Sequence, residues 1–295
     1  MKRKNWVLGA LYALVLGAFT LYVLLDTFTI SRVVVKVPTE ESTVASTVPQ
    51  TPEITDCSYR DGNISITITE YREHDTAIYV ADVVLSSPEY LQTALAKNSY
   101  GRNIKEKTSE MAEAHNAILA VNGDYYGSRE KGYVLRNGVL YRDQGDSERQ
   151  DLVIYDDGGF GIVAEKNVSA KTLQGNGARQ IFSFGPALVM DSQVAVDKNT
   201  EVAQATYSNP RTAIAIIDEL HYLLVVSDGR TERSEGLSLY QLSQFLQARG
   251  AKTAYNLDGG GSSTMWFNGE IINEPVNHGS KVSERSVSDI VYIGY

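Results

Sequence analysis

Between Trp6 and Leu25 the chain runs for 20 residues without a charge. At about 1.5 Å per residue, a helix of that length matches the roughly 30 Å hydrocarbon core of a bilayer. Lys2, Arg3 and Lys4 precede it, and positive charge on one flank places that flank in the cytoplasm. Trp6 is suited to the interface. A cleaved signal peptide is the alternative. The apolar stretch is longer than a usual signal core, and no small-x-small cleavage site follows it. The expectation is therefore an uncleaved single-pass anchor in the cell membrane. Residues 1–5 are then cytoplasmic, 6–25 cross the membrane, and everything after them lies outside the cytoplasm. Residues 26–56 read as a linker, because from residue 36 on they are rich in Thr, Ser, Pro and Glu and poor in the apolar bulk that offsets ordering entropy.

The remaining residues, 57–295, are enough for one large domain with a buried core. The whole chain has a net charge of −9, and only positive charges precede Asp26. The body is thus more acidic than the whole, which argues against nucleic acid as a partner. Cys57 is the single cysteine, so no intramolecular disulfide forms. With four histidines beside it, a structural zinc site is not indicated.

Alternation over Asn63–Thr69 sets Ile64, Ile66 and Ile68 on one strand face. Ala77–Leu85, Ala117–Val121, Ile214–Ile217, Leu223–Val226 and Thr253–Leu257 are further strands. Asn137-Gly138 and Asn268-Gly269 mark hairpins. Pro88–Lys97 and Thr108–Asn116 read as short helices. A longer helix starts at Ser238, with Gln241 completing a capping box. It presents Leu239, Leu242, Phe245 and Leu246 on one stripe and ends at Gly250. The expected fold class is α+β: a single globular domain around a large mixed, mainly antiparallel sheet, preceded by one transmembrane helix.

One run stands out chemically, Asn256-Leu257-Asp258-Gly259-Gly260-Gly261-Ser262-Ser263-Thr264. It places a carboxylate at the end of an apolar strand, then three glycines, then three hydroxyls. Three successive glycines suggest a place where backbone approaches a ligand closely, as in a nest of N–H groups facing an anion. No lysine follows them, so a Walker phosphate loop does not fit, and no G-x-G-x-x-G opens a helix. The glycines are expected to connect two strands.

Four other turns are candidates. Asn122-Gly123-Asp124-Tyr125-Tyr126 offers Asp124 as acid, base or ligand and tyrosines to stack on a sugar, or is simply a turn. Ser183-Phe184-Gly185-Pro186 reads as structural. Arg211, in Asn209-Pro210-Arg211-Thr212, has the fork that grips phosphate, although by itself the motif is better explained by a surface ion pair. Asp228-Gly229-Arg230 supplies either an acid and an anion contact or a turn. Asp124, Asp228 and Asp258 each follow an apolar strand and can converge at one sheet edge. Carboxylates in different environments are the equipment of glycoside hydrolysis.

These five motifs, in this order over roughly residues 80–295, resemble the phosphodiester glycosidase family. The first departs slightly, since family members often carry a second Gly and Phe where this chain has Asp124, Tyr125 and Tyr126. The resemblance implies hydrolysis of a sugar 1-phosphodiester, such as N-acetylglucosamine joined through phosphate to another sugar. In bacteria it points to envelope or exopolysaccharide glycans. Taken with the turns read above, it leaves these candidate site residues. Asp258, Asp228 and Asp124 are the catalytic candidates. Asn122, Arg211, Arg230, Asn256, Gly259, Gly260, Gly261, Ser262, Ser263 and Arg285 are the substrate-binding ones. No cofactor is expected, and the partner is a phosphorylated glycan, with the membrane engaged by the N-terminal helix.

Three alternatives stand beside this reading. The first is a non-catalytic glycan-binding or assembly module, for which 18 tyrosines are suitable. The second is a serine hydrolase using Ser262 or Ser263 with distant His278, which lacks the G-x-S-x-G elbow. The third is a metal-assisted variant in which Asn122, Asp124 and Asp258 offer hard oxygens of the kind Ca²⁺ and Mg²⁺ take.

Overall fold

The computed structural model describes residues 2–37, 51–198, 207–277 and 282–295. Among them every strand pairing between named strands is antiparallel. The strands form three main sheets rather than one. The largest has nine strands. At its centre lie Thr253–Asn256, Arg211–Asp218, His221–Ser227 and Thr76–Leu85 as neighbours in that order. A five-stranded sheet contains Met265–Phe267, Leu119–Asn122, Asp289–Ile293 and Leu91–Leu95 side by side. A second five-stranded sheet is built around Ala178–Phe182 and Gln150–Tyr155.

All three sheets turn one face to a common core. Ile66, Val83, Leu224 and Tyr255 enter it from the large sheet, Val121 and Val291 from the second, and Leu152 and Phe182 from the third. Each outer face is covered by one helix. Leu242, Phe245 and Leu246 of Leu239–Ala248 pack on Ala213 and Val225. Met111 and Ala112 of Thr108–Ala114 pack on Ala120 and Ile290. Leu173 of Ala170–Gly175 packs on Leu135 and Ile181. A sheet buried on both faces needs apolar residues at consecutive positions, which is what Leu223 to Val226 supply.

The capping box at Ser238 and Gln241 forms as the motif requires. Both Asn-Gly pairs form hairpin turns, with Asn137 and Gly138 at φ 48° and 78° and Asn268 and Gly269 at φ 45° and 99°. One expected helix does not form. Within Pro88–Lys97, Leu91–Leu95 is a strand flanked by the single 3-10 turns Pro88–Tyr90 and Ala96–Asn98. Pairing with Asp289–Ile293 buries Leu91, Thr93, Ala94 and Leu95, and that tertiary gain overrides a weak local helix preference.

The expected linker is also different from its composition. The helix Lys2–Phe28 is followed after three residues by the strand Arg32–Lys36, paired with Ser99–Arg102. Glu53–Thr55 pairs with Ser58–Arg60. β-Branched Val33, Val34 and Val35 favour an extended edge once a partner strand is available. Residues 38–50 lie outside the described residues. The segment Trp6–Phe28 is long and apolar enough to cross a membrane, which is compatible with an anchor or a signal sequence.

Candidate active site

The site forms where the large sheet meets the sheet containing Leu119–Asn122. Asn122 ends one strand and Asp258 follows another, and they are joined directly. Asn122 Nδ2 donates to the Asp258 carbonyl at 2.6 Å. Its Oδ1 accepts from Thr212 Oγ1 at 2.7 Å and from the Thr264 amide at 3.3 Å. The Asp258 amide donates to the Gly123 carbonyl at 3.1 Å, and the Leu257 amide to the Thr212 carbonyl at 2.9 Å. Asn122 is fully buried, so it clamps the backbone of Asp258 from behind.

A cleft of about 420 Å³ opens over this seam. Its wall includes Asp258, four arginines (Arg129, Arg211, Arg230 and Arg285), Asn209 and Asn256. Tyr125 and Phe184 form its aromatic part. Asp258 is its one carboxylate among the described residues. Burial pushes the Asp258 carboxyl above its ordinary value, while the neighbouring Arg285 charge and the Ser262 hydroxyl pull the other way. Ser262 Oγ donates to Asp258 Oδ2 at 2.6 Å, and Arg285 Nη2 does so at 3.2 Å. Arg285 Nε also donates to Ser262 Oγ at 2.9 Å.

Each arginine is fixed by hydrogen bonds, Arg211 and Arg129 by backbone carbonyls and Arg230 and Arg285 by neighbouring cleft residues. Arg211 donates from Nε to the Leu237 carbonyl and from Nη2 to the Tyr207 carbonyl, both at 2.8 Å. Arg230, itself at φ 63°, donates from Nε and Nη2 to Asn209 Oδ1 at 3.2 and 2.9 Å. Arg129 donates to the Ser183 carbonyl and stacks over Tyr125 and Phe184. Asn256 Nδ2 bonds the Gly185 carbonyl, whereas buried Asn256 Oδ1 has no hydrogen-bond partner among the described residues. Such an acceptor is costly to leave unmade.

The Gly260 amide and the two serine amides after the glycines are turned to the protein rather than to the cleft. The Gly260 amide donates to the Pro210 carbonyl at 2.8 Å, and the Ser262 and Ser263 amides close the 3-10 turn onto Gly259 and Gly260. These donors are consumed internally. The glycines instead provide room. At Gly260, φ is 62° and a Cβ would lie 2.8 Å from Arg230 Nη2; at Gly259 it would lie 2.9 Å from the Pro210 carbonyl oxygen. Positive charge therefore comes from side chains brought over the glycines. Gly261, Ser263 and Asn122 are buried behind the cleft wall.

Asp124 and Asp228 do not line the cleft. Asp124 Oδ2 accepts the Ser183 amide at 2.8 Å, which pins the Phe184–Gly185 wall. Arg136 lies 3.6 Å from Asp124 and 2.8 Å from Asp289 in a fully buried cluster. Asp228 accepts from Asn273 Nδ2 and the Glu274 amide. Asn273 in turn bonds the Ser263 carbonyl and the Met265 amide, so Asp228 supports the turn after the glycines. Among the described residues no three His, Cys, Asp or Glu side chains converge as metal ligands. The Asn122 and Asp124 oxygens are already used as acceptors. His278 lies outside the described residues. Sequence reasoning missed Arg129, Asn209 and Phe184 as cleft residues. Phe184 lay in the motif at 183–186, which read as a turn, and Asn209 lay in the motif at 209–212, where only Arg211 was singled out; Arg129 lay in no motif.

The phosphodiester glycosidase family matches residues 115–294. The SPbeta prophage-derived uncharacterized protein YomE of Bacillus subtilis is 31% identical over 201 residues, 66% of this chain and 31% of that protein. N-acetylglucosamine-1-phosphodiester alpha-N-acetylglucosaminidase of Mus musculus is 40% identical over 68 residues, 23% of this chain and 13% of that enzyme. The chain thus spans about a third or less of these curated relatives. The fold is similar to the solved catalytic domain of the zebrafish N-acetylglucosamine-1-phosphodiester alpha-N-acetylglucosaminidase, which is auto-inhibited by its pro-peptide. The TM-score is 0.63 at 21% identity, covering 79% of this chain and 83% of that one. A hypothetical protein from Synechocystis matches at TM-score 0.57 and 14% identity, covering 78% and 62%.

Proposed function

The chain belongs to the phosphodiester glycosidase family, and on that premise we propose an extracytoplasmic, membrane-anchored hydrolase. It cleaves a sugar 1-phosphodiester, such as N-acetylglucosamine-phosphate-sugar, in an envelope or exopolysaccharide glycan. The observation that carries this reading is the cleft composition, four arginines around one buried carboxylate among the described residues. A phosphodiester is a single negative charge with two free oxygens, and guanidinium forks suit it. Arg211, Arg230 and Arg285 hold the phosphate. Tyr125 and Phe184 offer faces on which a sugar ring stacks.

Hydrolysis breaks the bond between the anomeric carbon and the phosphate oxygen. The departing group is a phosphate monoester, whose second pKa is about 6. It leaves as an anion, and the arginines stabilise the charge that grows on it. A strong general acid is thereby less needed than for an alcohol leaving group. One carboxylate then does the remaining work. Asp258 acts as general base toward water or as nucleophile at the anomeric carbon, with Ser262 and Arg285 fixing its rotamer. Asp124 and Asp228 position the two walls and do not touch substrate.

The test is release of free sugar from an N-acetylglucosamine 1-phosphodiester by the purified full chain. Asp258→Asn is expected to lower turnover about 10³-fold or more, with substrate still bound. Full turnover by that variant sinks the assignment. Tight binding of glycan without any cleavage by wild type turns the protein into a binding module.

A further inference from the structure

The end of the membrane-spanning helix is fastened to the rim of the cleft. Thr29, Ile30 and Ser31 alone separate the helix Lys2–Phe28 from the strand Arg32–Lys36. Asn103 Nδ2 donates to the Thr27 and Ile30 carbonyls, both at 3.1 Å. The Thr27 carbonyl lies in the last helical turn, where carbonyls have no intrahelical donor, and the Ile30 carbonyl lies in the connection that follows. Ser31 Oγ returns a bond to the Asn103 carbonyl at 2.9 Å. The following strand pairs with Ser99–Arg102. It comes so close that a Cβ on Gly101 would sit 1.9 Å from the Arg32 carbonyl oxygen. Only glycine admits this contact.

The same residue faces the cleft loop. The Asn103 amide donates to the Gly127 carbonyl at 3.0 Å, and Gly127 lies two positions from both Tyr125 and Arg129 in the cleft wall. Summing these contacts with 3.8 Å per residue step puts that wall within about 20 Å of the last helical turn. Lys105 adds a further cation beside the Tyr125 ring. A bilayer's headgroup zone is only roughly 5–8 Å deep on each side. The cleft is therefore confined to the first layer above the headgroups, and no long tether lets it search further.

Resting on the proposed function and on a retained anchor, we infer that the substrate is carried by a lipid of the same membrane. Its chemical class is a sugar 1-phosphodiester whose second ester is to a long-chain lipid alcohol. In the reaction a water oxygen bonds to the anomeric carbon and the carbon–oxygen bond to phosphate breaks. The electron pair stays on the phosphate oxygen, and the water's proton passes through Asp258 to solvent. The products are the free sugar and a lipid phosphate monoester left in the bilayer.

The experiment uses the full chain in phosphatidylcholine–phosphatidylglycerol vesicles. Two probes are compared. One is N-acetylglucosamine 1-phosphate esterified to a polyisoprenyl alcohol in the same vesicles, and the other is its soluble methyl ester. A flexible Gly/Ser insert of about twelve residues after Thr29 adds roughly 20 Å of reach and dilutes the cleft away from the surface. It is expected to lower the lipid-probe rate about five-fold or more and to leave the soluble-probe rate within about two-fold. Asn103→Ala is expected to move the ratio in the same direction. An unchanged ratio in the insert variant overturns the inference while the catalytic reading stands. Failure of wild type to hydrolyse either probe overturns the catalytic reading, and this inference falls with it.

Discussion

Asn122 offers the sharpest test of how the site is held. Asn122→Ala deletes three hydrogen bonds in a fully buried position. It leaves the Asp258 carbonyl, the Thr212 hydroxyl and the Thr264 amide without that partner. A buried polar group left unmade costs about 1–3 kcal/mol. The Thr212 hydroxyl can rotate, and the Thr264 contact is long, so their share is at the low end. The sum is about 3–5 kcal/mol, a large part of the 5–15 kcal/mol by which a domain is stable. At roughly 2–4 °C per kcal/mol for a domain of this size, Tm is expected to fall by about 6–20 °C. Turnover is expected to fall with it, since a displacement of about 1 Å in a reacting group costs about 10² in rate. Circular dichroism melting of the detergent-solubilised full chain measures the first effect and sugar release at 20 °C the second. Asn122→Asp separates the two. It keeps both acceptor contacts and loses the donor to Asp258, so it is expected to impair turnover more than its melting shift explains. A melting temperature unchanged by Asn122→Ala refutes the clamp. Lost activity with unchanged melting places Asn122 on the substrate instead.

Arg285→Gln removes the cation that opposes burial at Asp258. The carboxyl then keeps its proton to higher pH, and the acidic limb of kcat/KM is expected to move upward; an unmoved limb contradicts a base or nucleophile role for Asp258. Asp151 is buried beside Glu165, and burial first, then repulsion from Glu165, pushes it up to about 10 from 3.8. Because the folded state holds this proton more tightly than the unfolded chain, stability falls as pH rises from about 4 toward 10. Asp151→Asn mimics the protonated form, so its urea midpoint is expected to exceed wild type by a margin that widens between pH 5 and pH 9; a constant margin refutes the assignment. Gly260→Ala adds a Cβ at φ 62°, 2.8 Å from Arg230 Nη2. A cost of about 1–2 kcal/mol in stability and weaker phosphate-ester affinity are expected, and titration calorimetry with unchanged affinity shows that Arg230 does not bind the ester.

Local chemistry in the sequence was enough for much of the scaffold. Asn-Gly pairs demand the turns they make, Ser238 and Gln241 can satisfy a helix start only one way, and Ile64, Ile66 and Ile68 share a face because a strand has period two. A 20-residue uncharged run announces a membrane-length helix in the same manner. The order of five motifs was also sufficient to identify the family. Folding decided which of the polar residues meet. Asp124, Asp228 and Asp258 all end apolar strands, yet only Asp258 opens onto the cleft, because the other two are consumed by Ser183, Asn273 and Glu274. Arg129 was invisible, since nothing local distinguishes a surface arginine from one that stacks on Phe184 from a distant sheet. The strand Arg32–Lys36 at the start of the expected linker went unseen for a related reason. A valine-rich segment has no preferred fate until a strand edge such as Ser99–Arg102 is offered to it. Sequence periodicity dictates what each segment can become, whereas the cleft depends on contacts between segments more than 100 residues apart, such as Asn122 with Asp258, and those exist only once the sheets have closed on one core.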